Sequence, residues 1–306
     1  METLTLLLPV HNRGHLTAGF IKHVAKLLPP RLALEVVLFD DGCSDETIVI
    51  ASRAWPEADV VTLNGHAFWG GSLNAIASYV QGKVSQGKAS DYYMLCNDDI
   101  RFLDQKNILA GLKAVTDMAL VCARGIMVSH EDIINSDETP LRPEWKPEPA
   151  IHYSARNGRF IPASERQIVN VAPTRAMLTT PKPWLHAVAV PCSIPHYLSD
   201  YWLTYNLNKL GFQIAHPENF TCLVSSETTR NPQKAKTSNW LVLKLARIKG
   251  CITKTSPIYV PAWISFYRQD HLTVIKRLKI LSLWLLFRIS NLAFAVFGCI
   301  RRGQGN

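Results

Sequence analysis

Three short apolar runs in the first hundred residues end in polar clusters. Leu4–Leu8 runs into "PVHNR" (Pro9–Arg13), Leu34–Phe39 into "DDGCSDET" (Asp40–Thr47), and Tyr92–Cys96 into "NDD" (Asn97–Asp99). In open parallel sheets, ligands bind beyond the carboxyl ends of the strands. If these runs are neighbouring strands, up to four carboxylates, Asp40, Asp41, Asp98 and Asp99, converge on one edge. Like charges repel there unless a cation joins them. Magnesium and manganese favour oxygen ligands, commonly one or two carboxylates completed by substrate phosphate. The cluster therefore predicts a divalent cation bound together with a nucleotide diphosphate.

The elements that must position these tips are legible in the apolar pattern. Leu4–Pro9, Leu34–Asp41, Ala58–Asn64 and Tyr92–Asp99 are continuous rather than alternating, as expected of strands buried on both faces of a parallel sheet. Helical patterns over His15–Leu28, Ser44–Arg53 and Gly71–Gln81 lie between them, with Ser44 placed to cap the second. Met118–Ile126 reads as a fifth strand. Ser136–Arg166, rich in Pro, Glu and Arg, reads as a loop or weak hairpin. "SDYWLTYNLNKLGFQIAHP" reads as a helix closed by Gly211 and followed by a short strand. Strand–helix alternation gives an α/β fold: a mostly parallel, twisted sheet with helices on both faces.

Composition narrows the class. The chain has 306 residues and a formal charge of +9. Residues 239–306 hold eleven Lys or Arg and one acid, Asp270, so the remainder is close to neutral. A basic, helical, apolar C-terminal region is expected there, behind a main domain of residues 1–238. The seven cysteines include no CxxC pair, which argues against a zinc site and for reduced thiols in the cytoplasm. "METLTLLLPVHNR" has an acid where a signal peptide is basic, and its apolar run is short. There is no GxGxxG after the first strand and no GxxxxGK[ST], which disfavours dinucleotide binding and P-loop chemistry.

"LLLPVHNR", "VVLFDDGCSDET", "GHAFWGGSLNAI", "YYMLCNDDI", "APTRAMLTTPKPW" and "HYLSDYWLTYNLNKLGFQI" follow one another from Leu4 to Pro217 in an order and spacing that resembles family 2 glycosyltransferases of the GT-A fold. The resemblance implies roles. Pro9, Asn12 and Asp41 would hold the donor's base. Gly70, Gly71 and Asn74 would lie close to the nucleotide. Asp98 would face the ribose or the metal's water, and Asp99 would ligate the magnesium or manganese that bridges the diphosphate. Asp200 would be the general base for an inverting transfer of a hexose or deoxyhexose from a UDP- or dTDP-sugar. The acceptor would be a glycan, commonly lipid-linked, at the inner face of the cell membrane.

Two departures from the family pattern stand out. Ser199 replaces the acid that usually precedes the base. "NFTCLVSSETT" lacks the downstream His that serves many members as a further metal ligand; His196 and His216 are assigned no role. Other readings remain open at this point. Asp40 and Asp41 also suit a turn and a helix cap, and Asp200 suits an N-cap. A sugar nucleotidyltransferase would use a similar fold and metal, although "PVHNRGHLT" lacks its Gly-rich basic loop. A degenerate glycan-binding scaffold would also accommodate both departures.

The C-terminal helix allows three placements. It folds against the main domain, lies in an anionic membrane surface with its basic residues at the head groups, or spans the bilayer over Ile280–Ile300. Arg288 near the middle of that stretch would cost about 2.5–3.5 kcal/mol on insertion scales, which favours lying on the surface over spanning. Nucleic acid is not expected as a partner, because no recognised binding motif is present.

Overall fold

The computed structural model describes residues 1–129, 131, 133, 145–163, 168–225, 249–270 and 273–303, and the side chains of these up to residue 290. Its centre is an eight-stranded sheet in the order β10-β12-β6-β11-β4-β1-β2-β3. The strands are β1 (Glu2–Val10), β2 (Leu32–Asp40), β3 (Asp59–Thr62), β4 (Tyr92–Cys96), β6 (Leu120–Cys122), β10 (Ile168–Val169), β11 (Ala176–Thr179) and β12 (Ile214–Ala215). All are parallel except β11, which runs antiparallel between β4 and β6, and β10 at the edge.

Burial explains the continuous apolar runs. Leu4, Leu6 and Leu8 of β1 face one core cluster, and Leu7 between them faces the other. The first cluster is closed by α1 (Gly14–Leu27), α2 (Thr47–Ala54) and α4 (Gln105–Met118), through Phe20, Ala51 and Leu112. The second is closed by α3 (Phe68–Ser85), α5 (Pro181–Leu185) and α6 (Ser199–Lys209), through Ile76, Trp184 and Leu203. This is the GT-A architecture, with helices on both faces of a mostly parallel sheet.

Two local expectations are corrected, and a third, the hairpin, is found. The run Met118–Ile126 is not one strand. Met118 ends α4, Ala119 turns the chain with φ +60°, and Ala123 separates β6 from β7 (Arg124–Val128). Strand β7 belongs to a second sheet with β13 (Thr221–Ser225) and β5 (Ile100–Phe102). Ser44 does not cap α2. The cap position is Glu46, and the Ser44 backbone N–H instead donates to Asn12 Oδ1 at 2.8 Å. The Pro-rich stretch contains an antiparallel hairpin, β8 (Ile151–Ser154) and β9 (Arg159–Pro162), while 134–144 and 164–166 lie outside the described residues.

The C-terminal helices are α7 (Val260–Arg268) and α8 (Val274–Gly303). Helix α7 joins the second core: Phe266 packs edge-on to Tyr153 at 5.0 Å, and Trp263 packs against Phe160 at 6.1 Å. The expected boundary at 238/239 falls outside the described residues. Two of the basic residues of α8 are used internally. Lys276 is fully buried against Asp270 at 3.2 Å, and Lys279 donates to the carbonyls of Asn157 and Gly158. Within the described residues, no helix is long and apolar enough to cross a membrane.

Candidate active site

The site is built at the carboxyl ends of β1, β2 and β4. Asn12 adopts φ +53°, a left-handed conformation that Asn tolerates better than most residues. Its side chain bonds Ser44, so the tip after β1 is locked to the tip after β2. Pro9 stays within β1, level with Phe39 of β2. His11 reinforces the lock through Nδ1, 2.8 Å from the Asp41 carbonyl oxygen.

Asp40 and Asp41 divide two tasks. Asp40 accepts from the Cys43 N–H at 2.7 Å and shapes the turn. Both oxygens of Asp41 accept backbone N–H groups, from Ala67 and Phe68, each at 2.9 Å. Phe68 begins α3 with φ +52°, so Asp41 caps that helix and holds a strained residue in place.

Asp98 and Asp99 share one cation within the protein. Arg13 Nη1 donates to Asp98 Oδ1 at 3.1 Å and Asp99 Oδ2 at 3.2 Å. Thr17 donates to the other Asp98 oxygen at 2.8 Å. Asp98 is almost fully buried, and burial raises its pKa, with Arg13 and Thr17 opposing the rise. Burial pulls the Arg13 pKa down, but the two carboxylates outweigh it and the net shift is upward. Asp99 keeps more exposure, and Arg13 itself is nearly half exposed. Among the described residues there is no group of three or more His, Cys, Asp or Glu arranged to hold a metal. The donor set is two carboxylates beside a displaceable cation, which fits a cation completed by phosphate oxygens.

Asp200 lies in the first turn of α6, after Leu198 at φ +70°. Its Oδ1 accepts from the Thr174 hydroxyl at 2.8 Å and from the Trp69 indole N–H. Both of these side-chain contacts fall on Oδ1, and the Thr174 backbone bonds the carboxylate as well, so the group is anchored from one side by residue 174 and Trp69. Burial raises the Asp200 pKa, opposed by the Thr174 and Trp69 hydrogen bonds.

The backbone brings this carboxylate to the Asp98–Asp99 edge. The residue after Thr174, Arg175, accepts at its carbonyl from the N–H of Asn97 at 2.9 Å, and Asn97 precedes Asp98. His196 lies in the fields of both Asp200 and Arg13, while burial lowers its own pKa. Asp98–Asp99 and Thr174, the partner of Asp200, thus sit at the same end of the neighbouring strands β4 and β11.

Gly70 and Asn74 hold the loop that enters α6. Asn74 bonds both the N–H and the carbonyl of Val190, at 2.8 and 2.9 Å. Gly70 donates to the Pro195 carbonyl at 2.8 Å, and a Cβ at 70 would stand 2.5 Å from the Ile194 oxygen. A Cβ at Gly71 would meet Ala67 at 2.9 Å. Local packing thus accounts for both glycines. Ser199 is fully buried, and its hydroxyl donates to the His196 carbonyl. His216 is buried between β12 and Ala123, with its pKa lowered by burial to about 4.

Four residues that contact or influence the candidate carboxylates are not singled out by the sequence: Arg13, Trp69, Thr174 and Arg175. Arg13 carried a signal, being the one cation in a tip facing acids. The others are joined only by the fold. Arg175 pairs with Glu148 at 3.2 Å and adds positive charge near Asp200.

The sequence model of glycosyl transferase family 2 matches residues 5–156. No curated protein sequence matches the chain. Solved structures match at the level of fold. The mannosyltransferase PcManGT from Pyrobaculum calidifontis, in complex with GDP-Man and Mn2+, has a TM-score of 0.52 at 11% identity, covering 97% of this chain and 75% of that one. GalNAc-T7 with UDP, GalNAc and Mn2+ gives 0.54 at 10% identity, over 74% of this chain and 44% of its own. S. aureus TarS residues 1–349 give 0.50 at 12% identity, over 94% and 79%.

Proposed function

Because the chain belongs to glycosyl transferase family 2 through residues 5–156, we propose that it transfers a hexose or deoxyhexose from a UDP- or dTDP-sugar to a glycan hydroxyl, with inversion. The observation that carries this reading is the buried carboxylate of Asp200, anchored by Trp69 and by Thr174 at the strand beside the Asp98–Asp99 edge.

Asp200 Oδ2 takes the proton of the acceptor hydroxyl as that oxygen attacks the anomeric carbon. Such a base contributes about 10²–10⁴-fold. Thr174 and Trp69 fix its direction, so little reorganisation is needed at the moment of reaction. The bond from the anomeric carbon to the diphosphate oxygen breaks on the opposite face, which inverts the centre. Asp99 would hold magnesium or manganese, with Asp98 behind it. When bound, the cation supplies Lewis-acid stabilisation to the leaving diphosphate. Two of the similar structures contain Mn2+ beside a nucleotide. Arg13 moves from the carboxylate pair to the diphosphate as the donor arrives, since one guanidinium suits either anion. Asn12, Pro9 and the cap formed by Asp41 shape the wall that faces the nucleobase, and Gly70, Gly71 and Asn74, behind that wall, hold the 190–198 loop that leads to Asp200.

The acceptor in this reading is lipid-linked, and the chain works at the inner face of the cytoplasmic membrane. The exposed apolar residues of α8, Val274, Leu278 and Leu281 among them, support that placement. The test is release of nucleotide diphosphate from UDP-, dTDP- and GDP-sugars with Mn2+, with and without a membrane lipid extract. Release from one donor, raised by the extract and lost in Asp200→Asn, is expected. Metal-dependent nucleotide binding without release or transfer from any donor would leave a binding scaffold instead.

A further inference from the structure

Helices α7 and α8 flank an open cavity of about 930 Å³. Its walls are apolar: Pro261 and Ile264 from α7, Trp284 and Phe287 from α8. Its rim carries two guanidinium groups, Arg268 and Arg288. Arg288 is stacked 5.0 Å from the Trp284 ring centre, which orders it. Among the described residues neither arginine has a carboxylate partner. Two like charges on one apolar cavity repel each other until an anion joins them, and guanidinium pairs favour phosphate oxygens.

The cavity adjoins an uncovered hydrocarbon surface. Val274, Leu278, Leu281, Leu285 and Ile289 recur every three or four residues on α8 and are 73, 61, 62, 53 and 56% exposed. Leu281 precedes Trp284 by three residues and Arg288 by seven, so stripe and rim are neighbours on the helix. A ligand that satisfies both features has a phosphate head and a long apolar chain.

The same cavity touches the catalytic loop. Ser265, on its wall, lies with Oγ 2.7 Å from Ser193 Oγ. Ser193 belongs to the segment that Asn74 grips at Val190 and Gly70 grips at Pro195, and this segment leads directly into Asp200.

We propose that the cavity between α7 and α8 binds the phosphate of a membrane lipid, whose chain lies along the Val274–Ile289 stripe, and so seats a lipid-borne acceptor beside the loop that carries Asp200. Binding of the lipid phosphate stands on the cavity itself; its assignment to the acceptor rests on the glycosyl-transfer reading.

The test uses the full chain with dodecyl phosphate, dodecanol and inorganic phosphate in calorimetry, and flotation with phosphatidylcholine vesicles with or without dodecyl phosphate. Dodecyl phosphate should bind at least about tenfold more tightly than either fragment. Vesicles containing it should carry the chain upward. Arg268→Gln/Arg288→Gln should lose about tenfold in this binding, and Leu281→Gln/Leu285→Gln should lose flotation. All four side chains are exposed, and unchanged circular dichroism and UDP–Mn2+ binding would show intact folds. Equal binding of inorganic phosphate and dodecyl phosphate would overturn the proposal. So would an arginine variant that binds like the wild type, or a chain that dimerises through the stripe and takes up no lipid. If dodecyl phosphate binds as expected but no nucleotide does, the lipid site stands and the transfer reading falls.

Discussion

The Thr174 hydroxyl donates to the Asp200 carboxylate at 2.8 Å, and it does so from the residue before the one that pairs with Asn97. This hydrogen bond, with the one from Trp69, therefore ties the Asp200 carboxylate to the strand beside the Asp98–Asp99 edge. Asn can replace Asp200 without losing either contact on Oδ1. Asp200→Asn is expected to lower turnover by about 10²–10⁴-fold while UDP–Mn2+ affinity holds within about twofold. Single-turnover assays and calorimetry check the two halves separately.

The same carboxylate sets a pH dependence of opposite sign for activity and stability. Burial raises its folded pKa above the ordinary carboxylate range. In the proposed mechanism turnover requires the ionised form, so activity should climb as pH rises through that raised value. Stability runs the other way: the contribution is complete below the unfolded carboxylate pKa and is lost as pH rises through the folded one. Asp200→Asn should then melt higher than the wild type at neutral pH and converge with it in acid. Melting curves across pH check this. A wild type that gains on the variant as pH rises would contradict the assignment of burial as the dominant cause.

Arg13 is the internal counter-ion of the carboxylate pair. Arg13→Gln leaves Asp98 buried with Thr17 and no cation. A stability loss of about 1–2 kcal/mol is expected, moderated by the exposure of Arg13. Manganese should restore part of the loss, because it takes over the charge. Urea unfolding with and without Mn2+ reads both effects. Equal Mn2+ stabilisation of wild type and variant would mean that Arg13 and the cation do not share the Asp98–Asp99 site.

The tips of β1, β2 and β4 were readable because continuous apolar runs end where the sheet does. The orders of β11 and β7 were not. An inserted antiparallel strand and a parallel one look alike as four buried residues, Ala176–Thr179. The split after Cys122 was hidden because Leu120–Val128 is apolar except for Arg124, which is itself buried, although its two halves serve different sheets. Asp41 was read as a base contact or a cap. It caps the helix after β3 instead of the one after its own strand, since Gly42 and Gly65 bring those two tips together. Lys276 is one of the eleven basic residues of the C-terminal region, and folding pairs it with Asp270, the single acid there.

Gly70 provides a test of loop placement apart from chemistry. A methyl group at 70 points at the Ile194 and Pro195 carbonyls, 2.5 and 3.2 Å away. Backbone cannot move aside as a flexible side chain would, so Gly70→Ala should push the 190–198 loop outward. Misplacement of a base by about an ångström can cost ~10²-fold. The expected pattern is a fall in kcat with an unchanged donor KM. A proportional rise in donor KM would instead place Gly70 against the nucleotide.

Ser199 marks where this chain departs from its family, and the structure supplies a reason. The side chain is fully buried, and its hydroxyl donates to the His196 carbonyl, which Ser199 N–H also approaches at 3.3 Å. A carboxylate at 199 could only accept, so it would face that carbonyl oxygen with no donor between them. Ser199→Glu should therefore destabilise the chain by about 2–4 kcal/mol at neutral pH, through an unpaired buried charge. It should also carry Asp200 out of register, because both residues share the first turn of α6. Ser199→Ala removes only a hydroxyl and should cost about 1 kcal/mol with turnover largely kept. Denaturation midpoints and initial rates on the two variants decide the point. A Glu variant that folds well and turns over faster would show that the cleft still has room for the missing acid.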